Sequence, residues 1–357
     1  MKDSPGNRYK NVHRINLPRI VLVGKGVIDS LGKIVEELGY TRALMVTGET
    51  TYKIAGARTG EVLEASGIAS SNTKVYDATL HTVEGVCNDI QEMDADIVLG
   101  IGGGRNIDVA KLASSKTKNR FISVPTVASH DGIASNLASI KDTDKPYSVE
   151  AEPPIAVVMD SKIISEAPYK FTASGCGDVI SKVTEIEDWK LAHKDNEDYY
   201  GAYAGSLSLM SSTLVMDHAE DIRARTDDGI RTLLEALVSC GVAMSIAGTS
   251  RPCSGSSHLF SHALDQIAKN PALHGEQCGV GAIMMSQLHG LYWKRVRDKL
   301  ETIGAPTTAD QLGIDDEVII QALVKAKSIR PDRYTILSKI EMDRKRAETL
   351  ARKTGVI

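Results

Sequence analysis

Hydrophobic positions along the chain follow two patterns, and the change lies near residue 160. Before it, short apolar runs alternate with stretches in which apolar residues recur at helical spacing. After it, the spacing is helical almost throughout, for example over 178–189, 201–217, 229–248 and 316–326. The apolar runs predict strands over 20–23, 42–47, 74–77, 97–101, 120–124 and 155–159, with a hairpin or loop over 141–154.

Alternation of strands and helices is typical of a parallel sheet, because each return to the same end of the sheet needs a crossover segment. We therefore predict an α/β N-terminal domain with a parallel, Rossmann-like sheet over residues 1–161. Residues 162–357 are predicted to form an all-α domain. Ligands bind at the carboxyl ends of the strands in open parallel sheets, so the residues that follow each strand are the first candidates for a site.

The strand predicted over 97–101 ends in three consecutive glycines, Gly102, Gly103 and Gly104, and a helical pattern follows. Glycine allows a sharp turn that leaves backbone N–H groups uncovered, and the start of a helix adds further free N–H groups and a positive dipole end. Such a turn can bind a phosphate group. The order Gly-Gly-Gly-x-x-x-Asp-x-x-Lys differs from the common dinucleotide fingerprint, so these residues alone also fit a plain connection between strand and helix.

Composition narrows the class of partner. The chain has 357 residues, of which 42% are hydrophobic and 25% charged, and its formal net charge is −4. These values indicate no basic stripe for nucleic acid, and no apolar run predicts membrane insertion. The start of the chain is polar without an apolar signal core, and the five cysteines form no C-x-x-C pair. We expect reduced thiols, a cytoplasmic protein and a small-molecule partner.

The second half carries a group of polar residues. Asp178 lies at the predicted start of a helix, where a carboxylate often acts as a cap. His258 and His262 are four residues apart and would share one helix face, and His274 follows twelve residues later. Each histidine alone is more often structural. Together with the carboxylate they favour a divalent-metal site, and imidazole and carboxylate ligands suit zinc.

The glycine turn and the Asp…His…His set together resemble the metal-dependent group of glycerol dehydrogenases, iron-type alcohol dehydrogenases and dehydroquinate synthases. Two longer motifs, 125–135 and 250–265, look most like archaeal sn-glycerol-1-phosphate dehydrogenases, and the resemblance spans essentially the whole chain. It implies reversible reduction of dihydroxyacetone phosphate to sn-glycerol 1-phosphate with NAD(H) or NADP(H). In that family this step provides the glycerophosphate backbone of archaeal membrane phospholipids.

The resemblance also implies roles for individual residues. One Zn²⁺ per subunit would be bound by Asp178, His258 and His274. The substrate would contact Asp131, Asp178 and His262, which are also the expected catalytic residues. The nucleotide would lie on Gly102, Gly103, Gly104, Arg105, Asn106, Ile107, Asp108, Thr126, Val127, Ala128, Ser129 and Ser135. A homo-oligomer is expected.

Two departures from related enzymes shape these expectations. Iron-type members carry a histidine ligand four residues after the Asp ligand, but this chain has Lys182 there, and an ammonium group cannot coordinate a metal. Three protein ligands suit catalytic zinc, with His262 outside the ligand set, although its spacing from His258 would also permit ligation. Related dehydrogenases often have an acidic residue at Gly48 that would repel a 2′-phosphate, so we expect both NADH and NADPH to serve, unless the neighbouring Glu49 takes over that role.

Other functions are compatible with the same residues. A glycerol or polyol dehydrogenase would differ only in whether the substrate carries phosphate, and the sequence shows no phosphate pocket directly. A dehydroquinate synthase-like lyase fits less well, because its first metal ligand is typically Glu where Asp178 stands. A non-catalytic nucleotide-binding regulator would need no open metal position.

Overall fold

The computed structural model describes residues 15–141 and 149–357. Its strands are Ile20–Gly24 (β1), Arg42–Thr47 (β2), Ala69–Lys74 (β3), Ile97–Gly102 (β4), Arg120–Pro125 (β5), Leu137–Ala138 (β6), Val149–Glu150 (β7) and Ala156–Asp160 (β8). Within these ranges, six strands form one parallel sheet in the order β1-β8-β5-β4-β2-β3, and β6 and β7 pair in antiparallel fashion. The predicted parallel sheet is confirmed.

Helices of the first half lie between the strands. They are Leu31–Glu37 (α1), Glu49–Thr51 (α2), Ala57–Ala65 (α3), Leu80–Glu92 (α4) and Gly104–Thr117 (α5). Short 3-10 segments cover Val27–Ser30 and Asp131–Ile133, and a π-helical turn covers Tyr52–Gly56. The last strand, β8, ends at Asp160, near the predicted domain boundary. That boundary stays a prediction.

The second half is helical, as predicted. Its helices are Ser161–Glu166 (α6), Tyr169–Asn196 (α7), Ala202–Asp217 (α8), Ala219–Arg223 (α9), Asp227–Ala247 (α10), Ser256–Ile267 (α11), His274–His289 (α12), Trp293–Ile303 (α13), Ala309–Leu312 (α14), Asp316–Ile329 (α15), Ile336–Lys339 (α16) and Arg344–Lys353 (α17). Helix α7 packs against α12 and α8, and α11 packs against α12 and α15. These contacts bring the helices that carry the predicted metal ligands together.

Side chains alternate along the central strands and supply two core regions. In β2, Ala43 and Met45 face α1 and α3, whereas Leu44 and Val46 face α4 and α5. Helices therefore cover both faces of the sheet, which explains why its central strands are apolar at nearly every position.

The prediction of the third strand over 74–77 is wrong in position, because β3 covers Ala69–Lys74. This strand lies at the sheet edge and pairs only with β2. Its sequence, Ala-Ser-Ser-Asn-Thr-Lys, is polar because the strand is largely solvent-accessible. Backbone pairing rather than side-chain burial holds it, so no apolar run marks it in the sequence. Of the loop predicted over 141–154, residues 142–148 lie outside the described residues, and β7 lies within the remainder.

Helix α10 is long and apolar enough, by length and composition, to cross a membrane. However, 72% of its apolar window is buried inside the protein. Leu233, Leu237 and Met244 belong to the main hydrophobic core. Its apolarity is therefore accounted for by its position in the core of the helical half.

Candidate active site

The glycine turn connects β4 to α5. Gly102 has a φ of +147°, a conformation that L side chains rarely adopt, and a Cβ there would overlap the side-chain amide of Asn106. That amide donates hydrogen bonds to the carbonyl oxygen of Ile101 and to Thr51 Oγ1, both at 2.9 Å. Gly103 caps the helix and α5 starts at Gly104. The turn thus presents the positive end of α5 beside uncovered backbone, as a phosphate site requires.

A cavity of about 650 Å³ opens beside this turn. The first half lines it with Gly103, Gly104 and three residues that follow β5, namely Thr126, Val127 and Ser129. The second half lines it with residues that include Ser174 of α7 and His274 of α12. Its volume is in the range of small-molecule and cofactor sites. The cavity therefore joins the predicted nucleotide turn to one of the predicted metal ligands.

Several other predicted nucleotide residues are not among those that line the cavity. Ile107 lies in the hydrophobic core, and Asp108 accepts a hydrogen bond from the backbone N–H of Ser139. Buried Lys111 donates to the carbonyl oxygens of Gly132 and Leu137, both at 2.6 Å. These bonds hold the segment that follows β5 against α5, so Asp108 and Lys111 shape the loop that carries Asp131. Ser135 bonds within the same loop, to the backbone of Leu137.

The predicted metal ligands converge. Asp178, His258 and His274, together with Cys278, each offer a donor atom, and these atoms all lie within 4.8 Å of one another. Asp178 and His258 are buried, and Asp178 Oδ1 lies 3.5 Å from His258 Nε2. Burial lowers the pKa of His274 to about 3, and the neighbouring His258 adds to this effect. A neutral imidazole is the form that binds a metal.

Asp178 does not begin a helix, and that prediction is wrong. It lies well inside α7, which starts at Tyr169. In the sequence, Gly175 and Gly177 suggest a break before a helix. In the structure they lie inside α7 and allow its backbone to contact the backbones of neighbouring segments. A Cβ on Gly177 would overlap the carbonyl oxygen of Gly275, and one on Gly175 would overlap that of Ala128. These contacts hold Asp178 close to the start of α12 and to the loop after β5.

Lys182 links the two carboxylates of the site. Its Nζ lies 2.6 Å from Asp178 Oδ1 and 2.9 Å from Asp131 Oδ2, and the side chain is fully buried. The backbone N–H of Asp131 donates to Asp178 Oδ2 at 2.8 Å. Burial opposes ionisation of Asp178, but Lys182, His258 and His274 together outweigh it and hold the pKa of Asp178 well below its usual range. Both carboxylates are thereby held in place by the same ammonium group.

Glu185 orients His258, one of the predicted metal ligands. Its Oε1 lies 2.7 Å from His258 Nδ1 and also accepts a hydrogen bond from Ser257. When Nδ1 carries the proton, Nε2 has its lone pair free on the side of Asp178. A carboxylate behind a ligating imidazole is the usual outer partner of such a ligand, because it fixes the tautomer and the ring orientation.

His262 lies beside the metal donors but outside their set. Its ring stacks on that of His274, with centroids 5.6 Å apart, and its Nδ1 lies 3.6 Å from Asp265 Oδ2. The side chain is 17% exposed. Burial lowers its pKa, so the ring is neutral near pH 7. This arrangement favours a role beside the metal rather than on it, although His262, Asp265 and His274 also form a compact donor group of their own.

Three site residues do not follow from the sequence analysis: Lys182 as an ion-pair partner, Glu185 as the partner of His258, and Cys278 as a neighbour of the metal donors. Asp178, Lys182 and Glu185 stand at i, i+4 and i+7 in one helix, so they share a face. That spacing could have identified them. Cys278 likewise follows His274 by one helical turn, and burial raises the pKa of its thiol, which favours the neutral form.

This chain is similar to known proteins over nearly its whole length. Residues 22–168 match the model of the iron-containing alcohol dehydrogenase family. Over 344 residues the chain is 52% identical to the glycerol-1-phosphate dehydrogenase (NAD(P)+) of Methanosarcina acetivorans. This alignment covers 96% of each of the two chains.

Solved structures show the same fold at low sequence identity. Glycerol dehydrogenase from Schizosaccharomyces pombe superposes with a TM-score of 0.81 at 17% identity, over 96% of this chain and 90% of that one. Sulfoacetaldehyde reductase from Bifidobacterium kashiwanohense, solved in complex with NAD+, superposes with a TM-score of 0.76 at 18% identity, over 96% of this chain and 98% of that one. The parallel sheet followed by a helical half is thus an architecture common to these dehydrogenases.

Proposed function

The chain belongs to the glycerol-1-phosphate dehydrogenase family, and from this premise we propose that the cavity and the cluster behind it are the active site for dihydroxyacetone phosphate. The protein is an NAD(P)-dependent oxidoreductase that reduces this ketone reversibly to sn-glycerol 1-phosphate, a backbone unit of membrane phospholipids. One observation carries the assignment of the site. Donor atoms of Asp178, His258 and His274 converge at a cavity that His274 and the glycine turn both line.

The donor set fits a divalent metal, and we infer zinc. One carboxylate and two imidazoles are typical zinc ligands, and three of them leave a coordination position for substrate. The outer carboxylate of Glu185 supports this fit, because it holds the His258 ring in the tautomer that a metal requires. When bound, zinc would polarise the carbonyl group of the substrate as negative charge develops on its oxygen.

The α/β half would bind the nucleotide. The helix start at Gly104 and the backbone of Gly103 suit the pyrophosphate, and Thr126, Val127 and Ser129 continue the same wall. When bound there, NAD(P)H would supply the hydride. The protein's own task is to hold the two reactants at one orientation and to keep water out of the space between them.

Asp131 and His262 are the residues we assign to the substrate. Lys182 fixes the carboxylate of Asp131, so this group can accept hydrogen bonds from the substrate hydroxyl without reorienting. The neutral ring of His262 can donate a hydrogen bond and pass a proton toward the oxygen that becomes the alcohol. The overall reaction consumes one hydride from NAD(P)H and one proton.

Two broader features complete the proposal. All five cysteines are free thiols, and four are buried, which supports a cytoplasmic location. We also propose a homo-oligomer, which light scattering coupled to gel filtration would test.

Oxidation of NADH measured with dihydroxyacetone phosphate, with dihydroxyacetone and with no ketone tests the function. We expect a much larger kcat/KM for the phosphorylated ketone, because binding energy from the phosphate helps to position the reacting carbon. Equal values for the two ketones would instead identify a polyol dehydrogenase. Tight nucleotide binding without turnover would identify a regulator.

A further inference from the structure

Three arginines lie close to one another, and one of them, Arg330, lies close to His262. Arg251 belongs to the segment that precedes α11, and Arg330 and Arg333 belong to the turn that follows α15. Because α11 and α15 pack against each other, this turn lies next to the helix that carries His258 and His262. The arginines therefore lie next to the helix that carries two of the proposed site residues.

Hydrogen bonds fix two of the three guanidinium groups. Arg333 donates from Nη1 to the carbonyl oxygen of Ser254 at 2.5 Å and from Nη2 to Ser250 Oγ at 2.9 Å, and the residue is only 8% exposed. Arg251 donates to the carbonyl oxygen of Tyr334 and pairs with Asp198, both at 2.7 Å. The turn and the segment before α11 are thus joined into a rigid frame.

Arg330 is the remaining guanidinium, and it has no hydrogen-bond or ion-pair partner among residues 15–141 and 149–357. It is only partly exposed, and the backbone of the turn is closed by a bond from the N–H of Arg333 to its carbonyl oxygen at 2.9 Å. Its charge is felt by both neighbouring arginines and contributes to the lowered pKa of His262. Partly buried charges normally have a partner, and gathering like charges costs free energy unless an anion joins them.

Three carboxylates of this region are engaged with other residues and do not pair with Arg330. Asp265 accepts a hydrogen bond from Gln277, and Asp198 pairs with Arg251. Glu185 is engaged by Ser257 and His258. The structure therefore holds a guanidinium beside the active-site histidine with its fork available to an external anion.

We propose that Arg330, supported by Arg251 and Arg333, binds the phosphate group of the substrate beside the ring of His262. In dihydroxyacetone phosphate the phosphorus is separated from the carbonyl carbon by two atoms. An anion site next to His262 suits this separation of phosphorus and carbonyl carbon, because the ring centroids of His262 and the predicted metal ligand His274 are 5.6 Å apart. A planar guanidinium binds two phosphate oxygens at once, which a lysine cannot do.

This inference rests on the proposed function, and the test keeps the two apart. The ratio of kcat/KM for dihydroxyacetone phosphate to that for dihydroxyacetone is measured in the wild type, Arg330→Gln and Arg330→Lys. Arg352→Gln is the matched control, because Arg352 is an exposed arginine paired with Glu348. Inorganic phosphate is the probe for the isolated anion site, and its inhibition constant is measured for each variant. Zinc content and melting temperature report whether each variant is folded.

We expect Arg330→Gln to lower the ratio by about tenfold to a hundredfold, the range for a hydrogen bond to a charged group, and to weaken inhibition by phosphate similarly. The ratio for Arg330→Lys should lie between those of Arg330→Gln and the wild type. If Arg330→Gln does not fold, Arg330→Lys serves as the test. A folded Arg330 variant with the same ratio as the wild type would disprove the phosphate site at Arg330 but would not contradict the proposed function. No preference for the phosphorylated ketone in the wild type would instead reject the function.

Discussion

At the scale of single residues, His262 and His274 are neighbours for which we predict different roles. His274 belongs to the compact donor group with Asp178 and His258, whereas His262 stacks outside it. We expect His274→Ala to abolish both zinc content and activity. His262→Ala should keep most of the zinc and lose much of its kcat. Elemental analysis of purified protein measures the first property. A His262→Ala protein as free of metal as His274→Ala would show that His262 is a ligand.

Glu185 gives a second prediction at this scale. Glu185→Ala removes the partner that orients His258 Nδ1, and we expect zinc affinity to fall about tenfold to a hundredfold. Competition with a chelator measures that affinity. Glu187→Ala, in the same helix, is the control, because Glu187 pairs with exposed Lys190 and should leave the affinity unchanged. Equal zinc affinity in both variants would mean that Glu185 has no part in holding the metal.

Individual site residues could be predicted to different extents. Asp178, His258 and His274 follow from residue type and spacing once the family resemblance is seen, because ligand chemistry restricts the choice to a few side chains. Lys182 and Glu185 do not follow as easily. Buried charged residues inside a helix resemble solvated ones in sequence, and only packing shows which face is covered.

At the scale of elements, the contact between α7 and α12 determines whether the metal donors meet. Gly177→Ala would push a methyl group into the backbone of Gly275, and we expect a loss of about 1–3 kcal/mol in the free energy of unfolding together with weaker zinc binding. The control is Gly85→Ala in α4, where a Cβ meets no atom within 4 Å. That change should stabilise the protein by about 0.5–1 kcal/mol. Urea denaturation measures both, and an unaffected Gly177→Ala would contradict the close approach.

The junction between β2 and α5 gives a prediction about the nucleotide. A Cβ on Gly48 would lie 2.9 Å from Arg105 Nη2, so a guanidinium occupies the region where other dehydrogenases carry an acid. Glu49 is already paired with Lys74 at 2.7 Å. We expect both NADPH and NADH to serve as reductants. Arg105→Gln should reduce kcat/KM for NADPH about tenfold and have less effect on kcat/KM for NADH.

Steady-state kinetics with the two nucleotides checks this prediction. Arg58→Gln is a suitable control, since Arg58 pairs with Asp29 and Glu61 on the surface. A wild-type preference for NADH above about a hundredfold, roughly 2.7 kcal/mol, would disprove the account of Gly48.

Elements could be predicted well where burial leaves a pattern. The central strands are apolar because helices cover both faces of the sheet, and their predicted positions agree with the structure. The edge strand β3 could not be found, since its polar residues satisfy only backbone pairing. The start of α7 could not be located either, because Gly175 and Gly177 indicate a helix break in sequence but serve close packing in three dimensions.

At the scale of the whole molecule, the proposed nucleotide and metal sites are built from different halves of the chain. Gly103 and Gly104 belong to the α/β half, and the three proposed zinc ligands belong to the helical half. We expect removal of zinc by a chelator to abolish turnover while NADPH still binds, as followed by nucleotide fluorescence. Re-addition of zinc is the control and should restore activity. Loss of NADPH binding along with the metal would show that the two sites depend on each other.

The sheet order has a consequence for synthesis of the chain. Strand β1 pairs with β8, so Ile20 meets Ala156, while β2, β3, β4 and β5 pair among residues made earlier. At ribosomal rates of about 5–20 residues per second, β1 waits on the order of ten seconds for its partner. During that time its N–H and C=O groups on that edge are open to other chains. Strand β1 therefore leaves the ribosome before the other strands of this sheet but is among the last to join it, and its open edge favours aggregation until β8 emerges.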